Sequence, residues 1–226
     1  MRLSIVVPVL NEGRGVAAAL APLAPLRAAG HQVIVVDGGS ADDTMEHARS
    51  HADTVISANR GRAMQMNAGA AQAGGDTLLF LHADTRLPAG ADRMIGKALT
   101  GSVHRWGRFD VTIDGSSRGL AVVAGMMNWR SRVTGIATGD QAFFVERATF
   151  VRVGGFPPIP LMEDIALSRI LKRESPPACL RARVITSGRR WDRDGLLRTI
   201  VTMWALRVAY FLGVGPERLA RYYYGR

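Results

Sequence analysis

Three polar clusters near the N-terminus carry side chains able to do chemistry. Asn11-Glu12, Asp37-Gly38-Gly39-Ser40 and His82-Ala83-Asp84 each follow a short apolar run. Asp37 offers a carboxylate to hydrogen-bond donors of a ligand, and the glycines behind it let that ligand approach the backbone. Ser40, with Asp42 and Asp43 behind it, reads as a helix start in which Ser40 is the cap and Asp43 the third helical residue. Further along, Glu163-Asp164 opens a helix after the breaker cluster Gly154-Gly155-Phe156-Pro157-Pro158. Arg189-Arg190 presents two planar guanidinium forks of the kind that suit phosphate oxygens.

The elements that would position these groups follow from the apolar pattern. Runs at 3–9, 32–37 and 77–82 are short, rich in Val, Ile and Leu, and bounded by turn residues, as strands buried on both faces are. Helix-like segments lie between them, at 15–29, 41–51 and 61–73. Strands alternating with helices imply parallel βαβ units, whose right-handed crossovers put every strand C-terminus on one edge. The three polar clusters are therefore expected in one cleft. Later, 109–114 alternates as a half-exposed strand, 141–145 is a short strand, 146–153 a helix, and a helix continues from Glu163 through Leu171. No repeat or linker divides the chain. The expectation is one body over 1–192 and a basic helical extension over 193–226.

The chain has 226 residues, 47% hydrophobic and 21% charged, which excludes a disordered or fibrous protein. Its single cysteine, Cys179, excludes an internal disulfide and a cysteine-based zinc site, and suits a reducing, cytoplasmic setting. The formal charge of +10 is unevenly placed: residues 1–168 hold 16 basic and 15 acidic groups, residues 169–226 hold 13 and 4. No targeting segment is read at the N-terminus. The longest apolar stretch, 196–214, is interrupted by Arg198 and Arg207, which argues against a spanning helix.

Taken in order, the motifs resemble the family 2 glycosyltransferases, the inverting GT-A group, over about residues 3–191. Val6-Val7-Pro8-Val9-Leu10-Asn11-Glu12 is similar to the opening strand and loop, and Val35 through Thr44 to the second strand, whose Asp contacts the base. Asn59-Arg60-Gly61 and Asn67-Ala68-Gly69 match the helix after it. Leu81-His82-Ala83-Asp84-Thr85 takes the place of the metal-binding DxD, and Gly154-Gly155-Phe156 with Met162-Glu163-Asp164 that of the acceptor loop and ED motif. The Arg62-Ala63-x-Gln65-x-Asn67 wording and Gly139-Asp140-Gln141 look most like a short bacterial subgroup associated with arsenosugar biosynthesis and radical-SAM gene clusters.

The resemblance implies a GT-A α/β fold, Rossmann-like, with a mixed, mainly parallel sheet flanked by helices. It implies hexosyl transfer from a nucleotide-diphosphate sugar with inversion. Asp164 is then the catalytic base, and Pro8, Asn11, Glu12, Asp37, Gly39, Arg62 and Asn67 hold the donor nucleotide. Arg60, Asp140, Gln141, Glu163, Arg189, Arg190 and Trp191 meet the diphosphate or the acceptor. His82 replaces the usual first carboxylate of the DxD, which leaves Asp84 and the imidazole for Mn²⁺, or Asp84 with the diphosphate for Mg²⁺. Arg189-Arg190-Trp191 is similar to the end of a motif in processive members, but the Gln that precedes it there is missing.

At the C-terminus, Leu197, Ile200, Val201, Trp204, Val208 and Phe211 form one helical apolar face. Arg198 and Arg207, nine residues apart, fall on opposite sides of that helix. Packing on the domain, a homodimer contact and peripheral contact with the inner face of a membrane all remain open for it, as does headgroup contact by the basic, aromatic end at 218–226. The acceptor is a small molecule or lipid-linked, and no nucleic acid is expected. The rival reading is a non-catalytic polyanion- or membrane-binding protein on a degenerate GT-A scaffold; a sugar nucleotidylyltransferase ranks last, since no basic Gly-rich loop follows the first strand.

Overall fold

The computed structural model describes residues 1–225; the expectation for Arg226 lies outside the described residues. Strands β1 (Leu3–Val9), β2 (Gln32–Asp37), β3 (Thr54–Ser57), β4 (Thr77–Phe80), β5 (Thr85–Arg86), β6 (Trp106–Asp114), β7 (Phe143–Glu146) and β8 (Ala178–Ser187) form one sheet. Its order is β3-β2-β1-β4-β7-β6-β8-β5. The β3-β2-β1-β4 half and the β6–β8 pair are parallel, whereas β7 runs against β4 and β6, and β5 against β8. This is the mixed, mainly parallel sheet of the GT-A fold.

The first two strands show why the sheet is buried on both sides. Alternate residues point to opposite faces. Leu3, Ile5, Val7 and Val9 join Val33 and Val35 in one apolar cluster, while Val6 joins Ile34 and Val36 in the other. Helices α1 (Gly15–Leu20), α2 (Ala24–Ala28), α3 (Thr44–Arg49) and α4 (Arg62–Ala71) supply the crossovers between the parallel strands. Expected as one helix, 15–29 is broken by a 3₁₀ turn at Ala21–Leu23, where Pro22 and Pro25 remove backbone donors. On α4, Gly69 lets the helix approach the sheet: a Cβ there would stand 2.4 Å from Val6 Cγ1.

The remaining helices are α5 (Ala91–Leu99), α6 (Gly119–Thr134), α7 (Arg147–Arg152), α8 (Glu163–Leu171), α9 (Arg189–Asp194), α10 (Leu196–Phe211) and α11 (Pro216–Tyr224). The strand expected at 109–114 is longer and not half-exposed. Helix α6 covers it, with Asn128 bonded to both Val111 N and Val111 O at 2.8 and 3.0 Å. Its polar Asp110 is buried because Arg108 and Arg132 pair with it, the latter at 2.6 Å. Strand β7 begins at Phe143, since Gln141 belongs to a 3₁₀ turn at Gly139–Gln141. Helices α10 and α11 pack on the start of α8 through Leu206, Leu219 and Ala220 against Leu161, Met162 and Ile165.

Candidate active site

The three clusters that end β1, β2 and β4 share the edge of the sheet at the strand C-termini. Gly38 N donates to Val9 O at 3.0 Å, Asn11 N to Ser40 Oγ at 2.8 Å, and Ala41 N to Asn11 Oδ1 at 2.9 Å. Gln65, buried on α4, donates to both Val9 O (2.9 Å) and Val36 O (2.8 Å), tying the two strand ends together. The sequence gives no role for Gln65 beyond its place in a motif. Ser40 is not a helix cap: its hydroxyl bonds Asp37, α3 begins only at Thr44, and Asp42 accepts from Thr44 N at 3.1 Å. Asp37 accepts from Gly39 N and Ser40 N at 2.8 and 2.9 Å. The buried carboxylate therefore folds its own loop, with acceptor capacity left over. Gly39, exposed at φ +90°, takes a conformation that favours glycine.

A second group closes the site from the other half of the chain. His82 Nδ1 lies 3.3 Å from Asp140 Oδ1, and the ring fills the space that a Gly139 side chain would need. Gly139 N donates to Asp164 Oδ2 at 3.0 Å, and Ile165 N to Asp164 Oδ1 at 2.7 Å. His82, Asp140 and Asp164 thus meet around one turn. Burial pushes the Glu163 carboxyl up to about 7, reinforced by the Asp164 charge and opposed by Arg62. Burial also acts on Asp140, but the His82 hydrogen bond and charge, with Arg62 and Arg207, outweigh it and hold that carboxyl at about 2. Arg62 is exposed to solvent, and the charges of Glu163, Asp140 and Asp164 act on it.

Near the β1 loop, burial raises the Glu12 pKa, opposed by Arg189 and helped by the negative charges of Asp84 and Asp42. Glu12, Asp84 and Arg189 are therefore neighbours. Asp84 is exposed, and its backbone carbonyl accepts from Ser187 N at 3.2 Å. Among the described residues no three His, Cys, Asp or Glu side chains are grouped to hold a metal ion. A metal here would draw on one exposed carboxylate and on ligand oxygens, an arrangement Mg²⁺ tolerates in phosphate sites.

Several expected site residues are engaged elsewhere. Asn67 donates to Phe156 O at 2.8 Å and accepts from Phe156 N at 2.9 Å, pinning the 154–158 loop. Gln141 is buried and accepts from Thr138 N. Arg190 stacks on Tyr223, 4.2 Å from the ring centroid, and hydrogen-bonds its hydroxyl. Trp191 packs half-buried on the core, Pro8 is half-buried within β1, and Arg60 stands exposed before α4. Two arginines not foreseen as site residues do face the cleft. Burial lowers the pKa of both Arg130 (to about 10) and Arg207, and the Arg207 charge adds to the shift of Arg130, while Asp164 opposes each shift. Arg130 keeps two buried guanidinium nitrogens, Nε and Nη2, without a hydrogen-bond partner.

Residues 4–110 match the sequence model of Glycosyl transferase family 2. No curated protein matches the chain in sequence. Among solved structures, TarS 1–349 of S. aureus in complex with UDP-GlcNAc is similar at TM-score 0.66 and 18% identity, over 83% of this chain and 58% of that one. The mannosyltransferase PcManGT from Pyrobaculum calidifontis, in complex with GDP-Man and Mn²⁺, gives 0.60 and 20%, over 81% and 56%. Glucosyl-3-phosphoglycerate synthase from Mycobacterium tuberculosis, with Mn²⁺, UDP and glucosyl-3-phosphoglycerate, gives 0.61 and 19%, over 82% and 70%. The chain spans less than two thirds of the TarS and PcManGT chains. By sheet order and by these likenesses the chain has the GT-A glycosyltransferase fold, and residues 4–110 of it match family 2.

Proposed function

We propose that the protein, a bacterial one, transfers a sugar, a hexose, from a nucleotide-diphosphate donor to an acceptor hydroxyl with inversion. The observation that carries this reading is the meeting of the β1, β2 and β4 ends with Asp140 and Asp164 around one cleft. Asp37, with the Gly39 backbone and Asn11, takes the base and ribose side of the donor. Arg62, acted on by Glu163, Asp140 and Asp164, and Arg189, acting on Glu12, would supply the cations that a diphosphate needs. Mg²⁺ or Mn²⁺ held by Asp84 and the diphosphate would supply Lewis acidity to the leaving group. His82 spends its Nδ1 on Asp140, so its part is to position that turn.

Asp164 receives the acceptor proton. Two backbone amides fix its orientation, so alignment contributes more than basicity. Glu163, neutral for part of the time near pH 7, keeps a second full negative charge from accumulating beside it. Arg130 and Arg207 give the acceptor side a positive field. The test is a thermal-shift and turnover screen of UDP, GDP, CDP and dTDP and their sugars, with and without Mn²⁺. Asp37→Ala should abolish nucleotide stabilisation. Asp164→Ala should keep it and lose about 10²-fold or more in transfer or donor hydrolysis. No nucleotide binding by the wild type, or unchanged turnover in Asp164→Ala, would overturn the reading.

A further inference from the structure

Two helices carry matching apolar stripes on their outer sides. On α6, Val122, Met126, Trp129 and Val133 are each more than half exposed. On α10, Leu197, Val201, Trp204, Val208 and Phe211 repeat the same four-three-four spacing and are 49–77% exposed, with Leu212 following at 80%. The opposite faces are engaged: Leu120, Val123 and Ala124 of α6 are in the core, and Leu206 of α10 packs above α8.

The two helices touch at their N-terminal ends and come within reach of each other's charge further along. At their N-terminal ends a Cβ on Gly119 would be 2.4 Å from Leu196 Cδ2. Eleven residues later on each, the charges of Arg130 and Arg207 face one another. The stripes therefore join into one apolar face, and the charge that seemed to spoil α10 is turned inward toward Asp164 and Asp140. An apolar face of this extent on a protein surface marks an interaction site.

Its border is mainly cationic, with Glu217 beside Arg218 and Asp194 near Arg198 as the acidic exceptions. Arg198 shares a shallow hollow with Leu197 and Val201, Arg218 and Arg221 share another with Leu212, and Arg118 is exposed at the start of α6. No acidic residue occurs between Gly115 and Gly135, and from Gly195 onward there is only Glu217. Two copies meeting on this face would oppose arginine to arginine. A bilayer with anionic headgroups would instead accept the apolar stripe at the acyl boundary, the two indoles at the interface, and the arginines at its phosphates.

We infer that the joined outer face of α6 and α10 is a membrane-docking surface that binds anionic bilayers in plane. This goes beyond the transfer reaction and does not depend on it. No helix of the described residues is long and apolar enough to cross a membrane, so the attachment is peripheral.

The test is co-sedimentation of the full chain with phosphatidylcholine vesicles, with and without about one third phosphatidylglycerol, alongside light scattering without lipid. The wild type should bind the anionic vesicles, with a blue shift of tryptophan emission and release by salt. Trp129→Ala/Trp204→Ala should lower vesicle partition about tenfold or more, and Arg198→Gln/Arg218→Gln should weaken binding to anionic vesicles only. Both pairs of side chains are exposed, and a melting curve equal to the wild type confirms that each variant folds. Equal partition of wild type and the tryptophan variant overturns the inference. So does a wild-type dimer that the tryptophan substitutions dissociate while no vesicle binding is seen; the face would then join copies of the chain.

Discussion

Glu163 is a carboxyl whose ionisation the fold opposes. It is 6% exposed and beside Asp164, so its carboxyl titrates near 7 when folded and near 4.5 when unfolded. The folded state then binds the extra proton between those values, and the contribution of this group to stability falls as pH rises from 4.5 through 7. Glu163→Gln should leave the melting temperature unchanged below about pH 4.5 and raise stability by about 1 kcal/mol or more at pH 8. Melting curves of both proteins across that range check it; a gap that does not widen with pH would show that burial is not setting this pKa. At this scale the sequence was a partial guide. It brought out Asp37, Asp84 and Asp164 because carboxylates stand out after strand ends and at helix starts. Nothing local marked Arg130 or Arg207 as site residues; they interact with Asp164 from two helices far apart in the sequence.

Elements were legible where their pattern is set by local rules. Strands β1 and β2 read correctly because both faces are buried, and α8 and α10 because of their helical spacing. The sequence pattern misled at β6, where Asp110 looked like a solvent-facing residue and is a buried partner of two arginines. Strand β8 was not foreseen, because its run of alternating Arg and apolar residues is an edge region whose pairing with β6 is fixed by tertiary context. The close approach of α4 to the sheet supplies a test at this scale. Gly69→Ala would drive a methyl into Val6 and Val36, at 2.4 and 2.9 Å, and should cost about 1–3 kcal/mol in denaturant unfolding. An unchanged midpoint would mean that α4 can lift from the sheet without penalty.

For the whole molecule, the +10 charge resolves into a nearly neutral stretch over 1–168 and a basic C-terminal end over 169–226. That end is not an appendage of the described structure: Leu206, Leu219 and Ala220 bury Leu161, Met162 and Ile165 at the start of α8. Leu206→Ala should therefore cost about 2–5 kcal/mol and lower a single melting transition. An early separate transition, with the main one unmoved, would instead make 193–226 a unit of its own.

Helix α4 joins these scales. Its first residue, Arg62, faces the carboxylates of the cleft; its fourth, Gln65, clasps the ends of β1 and β2; its sixth, Asn67, grips Phe156 of the loop before α8. It acts as a crossbeam: one ten-residue helix, held to two strand ends at one point and to the loop before α8 at another, makes a single rigid part bridge the two halves of the chain.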